Sequence, residues 1–287
     1  MKKYLLPLLA GALVSCQKVS LYGEEETAEE PETKTVTFKV NGDFGTPTFT
    51  RATLSADGRE MTDLWIFDYM GDECVQMIHQ DSGDDDFGEP SLSLVYGAHH
   101  IYFVASRGSG AVVDDVEHNI TWSSVRDTFW KDLAVVVTKD SETDHSVSLD
   151  RVVAKLKVAI NDRVPDGCAS LVVTPETWFY GLDYIDGTAV AESDDPITIA
   201  VPVSYIGTSG GTLNASVFSI SDATEWQTNV TIAAKTSADA ILGTATINNA
   251  PLKANRATLY SGNLFSSSHS FMMTLSDEWL DDKVLTW

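Results

Sequence analysis

The sequence predicts an all-β protein of two tandem β-sandwich domains with one short helix, set behind an export segment and an acidic tether. Short runs alternate apolar with polar residues and are broken by Gly, Asp, Asn and Ser, the punctuation of strands and turns. Two stretches, Leu64-Trp65-Ile66-Phe67 and Ile101-Tyr102-Phe103-Val104-Ala105, are apolar throughout, as strands buried on both faces must be. Hydrophobic residues make up 43% of 287 positions, enough for real cores and too long a chain for one sandwich of ordinary width.

The elements follow in order. Lys2 and Lys3 precede an apolar run from Tyr4 to Val14 that is too short to span a bilayer, and Leu13-Val14-Ser15-Cys16 comes next. Residues 1–15 are expected to be a signal peptide, and the Leu-Val-Ser-Cys tetrad resembles a bacterial lipobox, with Cys16 the acylated first residue. Several acyl chains at ~0.8 kcal/mol per buried methylene would hold such a protein firmly to a membrane. Residues 16–34 form the tether, because Glu24, Glu25, Glu26, Glu29, Glu30 and Glu32 repel one another and bring nothing apolar to bury.

The first domain is expected over 35–149. Its first strand sets Val36, Phe38 and Val40 on one face and Thr35, Thr37 and Lys39 on the other. A helix is expected over Ser123–Leu133, where Val125, Phe129 and Leu133 are four apart and Ser124 with Asp127 resembles a capping box. The second domain, 150–287, opens on the long alternation Val152, Ala154, Leu156, Val158, Ile160. Similar patterns recur at Ile197–Val203, at Leu213, Ala215 and Val217, at Val230 and Ile232, and at Phe271, Met273 and Leu275.

Charge narrows the function. With 42 acidic and 19 basic side chains the formal net charge is −23, which repels a phosphate backbone and argues against nucleic acid as a partner. No nucleophile elbow, zinc-protease motif, P-loop or dinucleotide fingerprint occurs, so neither an enzymatic activity nor a cofactor is expected. His99 and His100 would point to opposite faces of a strand and could not share a metal. Asp84-Asp85-Asp86, with Asp81, lacks the spaced ligands of a calcium loop and reads as a solvated turn. Cys74 and Cys168 are read as small buried hydrophobes rather than as a pair. The aromatic run Trp178-Phe179-Tyr180 and Trp226 leave open a different role, a glycan-binding surface lipoprotein, since such rings can stack on sugars or simply pack in a core.

Several phrases, taken in order, resemble the fimbrillin family, the lipoprotein-derived type V pilins of anaerobic Gram-negative bacteria. They are Thr48-Phe49-Thr50-Arg51-Ala52-Thr53, Leu64-Trp65-Ile66-Phe67-Asp68, and Tyr96-Gly97 followed by Ala98 to Ser106. Leu149-Asp150-Arg151-Val152-Val153-Ala154-Lys155-Leu156 and Pro251-Leu252-Lys253-Ala254-Asn255-Arg256-Ala257-Thr258 complete the set. The residues from Thr174 to Asp195 match no phrase of that family. The resemblance implies transthyretin-like sandwiches and a role as a structural subunit of an adhesive fimbria. Gln17 after the cysteine fits an outer-membrane lipoprotein by the same analogy, with the protein later at the cell surface.

The resemblance also implies assembly by strand exchange. A trypsin-like maturation protease would cut between Arg51 and Ala52, releasing the strand that carries Val36, Phe38 and Val40. A neighbouring subunit would then refill the groove by β-strand addition. The candidate donor is the tail bearing Trp279, Leu280, Val284, Leu285 and Trp287. This reading expects Thr35–Val40 to be a removable edge strand.

Overall fold

Nearly every alternating run in the sequence becomes a strand. The computed structural model describes residues 31–42, 61–222, 224–266 and 271–276. Its strands are β1 (Thr33–Gly42), β2 (Asp63–Met70), β3 (Glu73–Asp81), β4 (Ser91–Val95) and β5 (Gly97–Ser106). Next come β6 (Val112–Asp114), β7 (Asn119–Thr121), β8 (Thr128–Val137) and β9 (Asp144–Arg151). The second half holds β10 (Val153–Ile160), β11 (Cys168–Pro175), β12 (Trp178–Asp183), β13 (Thr188–Ser193) and β14 (Ile197–Ala200). It ends with β15 (Leu213–Ile220), β16 (Trp226–Thr236), β17 (Ile241–Leu252), β18 (Ala257–Gly262) and β19 (Phe271–Ser276).

The first sheet runs β3-β2-β5-β8-β9-β1-β4. Its β8–β9 ladder has only the pairs Phe129↔Arg151 and Trp130↔Asp150, and there the sheet folds back on itself. The fold lays β9-β1-β4 over β2-β5-β8, and Phe38, Leu64, Ile66, Leu92, Ile101, Phe103 and Phe129 fill the space between. The second sandwich faces β15-β10-β18-β19 against β14-β11-β16-β17. Leu156, Val158, Leu171, Val173, Trp178, Val217 and Ile232 lie in its core.

A third sheet, β13-β12-β7-β6, joins strands from both halves of the chain, with Leu182 paired to Ile120. It supplies a third core, in which Phe67 stacks on Tyr184 at 3.9 Å with the rings 1° from parallel. This is why Leu64–Phe67 within β2 and Ile101–Ala105 within β5 are apolar throughout. Ile66 and Phe103 face the sandwich interior, whereas Phe67, Tyr102 and Val104 face the third core. The unmatched stretch Thr174–Asp195 is accounted for here, since it builds the β12–β13 hairpin. The described residues from Thr33 onward form one compact unit by their contacts.

Two expectations need correction. No helix forms over Ser123–Leu133: residues 122–127 are irregular and Thr128–Val137 is strand β8. A spacing of four also satisfies period two, so Phe129 and Leu133 share one face of β8 with Val135 and Val137 against the first core. Asp127 is no capping residue; its carboxylate accepts a hydrogen bond from Arg151 Nε at 2.8 Å.

The second correction concerns β1, which is not an edge strand. It lies between β9, parallel to it, and β4, antiparallel to it. The second sandwich repeats this arrangement. Its first strand, β10, lies between antiparallel β15 and parallel β18. An interior first strand is therefore a property of the sandwich topology.

Candidate functional site

The sequence points to β1, and the structure gives it a built slot. The antiparallel ladder to β4 covers Thr33 to Thr37, and the parallel ladder to β9 covers Thr37 to Gly42. The first side continues beyond β4, where Phe38 N–H donates to Pro90 O and Val40 N–H to Gly88 O, both at 2.9 Å. On the other side Thr37 N–H donates to Thr143 O at 2.7 Å. The second half of β1 is thus bonded along both edges. Thr37 Oγ1 and Ser91 Oγ, 2.8 Å apart, and Lys34 Nζ, which donates to Lys139 O and Ser141 O, fix its register.

Alternation places three side chains inward. Val36 and Phe38 are fully buried and Val40 is 7% exposed. Phe38 is the anchor, with Phe103 at 5.4 Å between ring centroids and the His145 imidazole stacked on it at 5.6 Å. Burying the three contributes roughly 1.5–3 kcal/mol each. Together that is about 5–9 kcal/mol, before ladder bonds worth a net ~0.5–1.5 kcal/mol apiece. The whole stability of a domain is about 5–15 kcal/mol, so an empty slot leaves little or none of it.

Cys16, Arg51, Ala52, Trp279, Leu280, Val284, Leu285 and Trp287 lie outside the described residues. β19, the last described strand before that tail, is the edge of its sheet, and Met272 on it is 76% exposed.

The other singled-out residues are placed as follows. His99 is buried and His100 exposed, as opposite faces require. His99 Nδ1 lies 2.7 Å from Asp68 Oδ1 and its Nε2 lies 2.8 Å from Val95 O. Burial pushes the Asp68 carboxyl above its ordinary range, with the His99 hydrogen bond opposing. Asp81 and Asp84 turn their carboxylates onto the backbone N–H groups of Gly83 and Asp81 at 2.8 and 2.9 Å. Among the described residues no three His, Cys, Asp or Glu side chains gather as metal ligands would. Cys168 is buried as expected, but Cys74 is exposed on edge strand β3, and both are free thiols.

The aromatic group is no open platform. Trp178 is fully buried and its Nε1–H donates to Phe218 O at 2.8 Å. Phe179 and Trp226 are half-buried and meet edge to face at 5.4 Å. One constellation escapes inspection of the sequence. Asp127, 4% exposed, accepts from Arg151 and faces Arg107 Nη2 at 3.7 Å, three residues brought together only by folding.

No family model and no curated protein matches the chain. Solved structures do. A candidate polysaccharide-binding protein from Bacteroides thetaiotaomicron superposes with a TM-score of 0.55 at 8% identity, covering 85% of this chain and 96% of that one. A candidate adhesin from the same species gives 0.53 at 9% identity, covering 86% and 97%. A candidate cell adhesion protein from Bacteroides ovatus gives 0.51 at 11% identity, covering 88% and 100%. At these identities the likeness establishes a common fold: the chain shares the β-sandwich architecture of these Bacteroides proteins over almost its whole length.

Proposed function

We propose that this chain is a structural subunit of an adhesive cell-surface fimbria, exported as an outer-membrane lipoprotein through Cys16 and assembled by replacement of β1. The observation that carries the reading is the slot itself. β1 fills an interior gap with three buried apolar side chains, yet it is the first strand of the compact unit and a single connection, residues 43–62, joins it to β2. That connection carries Arg51-Ala52, the bond that the fimbrillin resemblance gives to a trypsin-like protease. The interior position changes the mechanism from peeling an edge to refilling a slot. A donor strand from a neighbouring subunit would recover ladders on two sides, which ties affinity to a matching length and side-chain pattern. The names given to the proteins of the same fold, adhesin, cell adhesion protein and polysaccharide-binding protein, support a surface role of this kind. No catalytic role is part of the proposal.

Mass spectrometry of the protein from sheared surface fibres of its host tests this. A mature N-terminus at Ala52 is the expected result. Fibres whose subunits still begin at acylated Cys16 refute exchange and leave an anchored adhesin.

A further inference from the structure

At the seam where β15 meets the ends of β5 and β8, an open cleft of about 370 Å³ is lined by Arg107, Arg126, Ser216 and Phe218. We propose that it binds a sugar acid, a carboxylate-bearing monosaccharide unit at the end of a glycan. The site gives the adhesive part of the reading above a ligand class, and since none of its residues lies on β1 it stands apart from strand exchange.

The two arginine-bearing segments are held in place. Arg107 N–H donates to Asp127 O at 3.1 Å, and Ser109 and Ser124 exchange backbone hydrogen bonds at 3.0 and 3.2 Å. Ser106 Oγ and Thr128 Oγ1, 2.9 Å apart and buried, join the strand ends just behind. Asp127 orients Arg107 and is itself fixed by Arg151. Ser216 and Phe218, two apart on β15, share one face of that strand. Arg126 Cζ lies 5.8 Å from the Phe218 ring centroid and Lys155 Nζ 5.6 Å from it, both within cation–π range.

This chemistry selects its ligand. Two guanidinium forks match a planar carboxylate. The Ser216 hydroxyl and the apolar edge of Phe218 add a hydrogen-bonding group and a nonpolar wall, the mixture that a sugar ring presents in return. The volume lies at the small end of ligand sites, roughly 300–1,000 Å³, so it suits one ring. The surrounding field agrees. A chain with net charge −23 repels a long polyanion or an acidic peptide, whereas a single carboxylate on an otherwise neutral glycan escapes most of that repulsion.

The test uses the full chain in detergent, titrated calorimetrically with glucuronate, N-acetylneuraminate, glucose, sodium sulfate and a short acidic peptide at one ionic strength. The expected result is that at least one of the two sugar acids binds tenfold or more tighter than glucose. Arg126→Ala should weaken that binding roughly tenfold, the loss of one charge-assisted contact. Because Arg126 is exposed, this variant should melt with the parent; Arg107→Gln is the second variant, expected to bind as weakly. Equal affinity for glucose and the acids, no measurable binding of either acid, or unchanged binding in both variants overturns the proposal. Tighter binding of sulfate or of the peptide than of both sugar acids overturns the saccharide assignment. None of these outcomes bears on the N-terminus of subunits in fibres, so the two readings fail separately.

Discussion

Replacing Phe38 by Ala tests whether β1 holds the first sandwich together. The side chain is fully buried and meets the Phe103 and His145 rings at 5.4 and 5.6 Å. Truncation removes its transfer free energy and leaves a cavity that a strand bonded along both edges cannot collapse to fill, so the cost should sit in the usual range for Phe→Ala, about 3–5 kcal/mol. For a chain of this size each kcal/mol lowers Tm by about 2–4 °C, which gives a fall of roughly 6–20 °C. Thr35→Ala, on the opposite and exposed face of the same strand, is the control and should change stability by less than ~0.5 kcal/mol. Urea denaturation of the full chain followed by tryptophan fluorescence and circular dichroism measures both. A loss below about 1 kcal/mol for Phe38→Ala would show that the first sandwich does not depend on its first strand, and the slot argument would fall with it.

Three further outcomes follow from the same structure. Asp68→Asn removes a buried partner of His99 and should cost roughly 1–3 kcal/mol. Because the native state raises the Asp68 carboxyl above 3.8, its stabilising contribution is full below that pH and is lost as pH rises through the raised value; urea midpoints across a pH series should show the difference between parent and variant shrinking from acid towards neutral. Asp162 accepts the backbone N–H groups of Leu264, Phe265 and Ser266 at 3.1, 2.7 and 2.8 Å, so Asp162→Ala should destabilise by about 1.5–3 kcal/mol and raise amide exchange at those three residues. Trypsin cleavage after Arg51 should leave the first strand bound, because its ladders and buried side chains persist after the peptide bond is gone; size exclusion of the cut protein should show the fragment co-eluting until urea or a competing strand peptide displaces it.

What the sequence revealed depended on the range of the interaction. The faces of β10 and β15 were legible because alternation is local, and Leu156, Val158, Ala215 and Val217 are buried where period two puts them. The Ile197–Val203 pattern was legible only in part. Val201 is 8% exposed but Val203 is 88% exposed, because Pro202 has no N–H to continue a ladder. The expected helix failed because four is a multiple of two, and no local signal separates the periods over three residues. Sheet order is set by contacts distant in sequence, so nothing between Thr33 and Gly42 discloses that β4 and β9 flank it. The Arg107–Asp127–Arg151 group was hidden for the same reason. A buried ion pair leaves no periodicity, and Asp127 looked locally like a capping residue.

The comparison of β1 with β10 shows what is particular to the proposed assembly strand. Both are first strands of a sandwich, both lie between an antiparallel and a parallel neighbour, and both bury their even-numbered side chains. Position in the sheet therefore does not distinguish a replaceable strand from a permanent one. Covalent attachment does. β10 is separated from β9 by Val152 alone and from β11 by residues 161–167, so releasing it would require two cuts and would divide the body. β1 begins the compact unit and is held to the rest by one connection of 20 residues, 43–62. One cut there makes β1 a separate peptide held by its ladders, three apolar side chains and the side-chain hydrogen bonds of Lys34 and Thr37. Those are interactions that another strand can reproduce, whereas an empty slot forfeits most of a domain's stability. Exchange is then a competition between two strands for one site, in which refilling accompanies release and no open subunit accumulates.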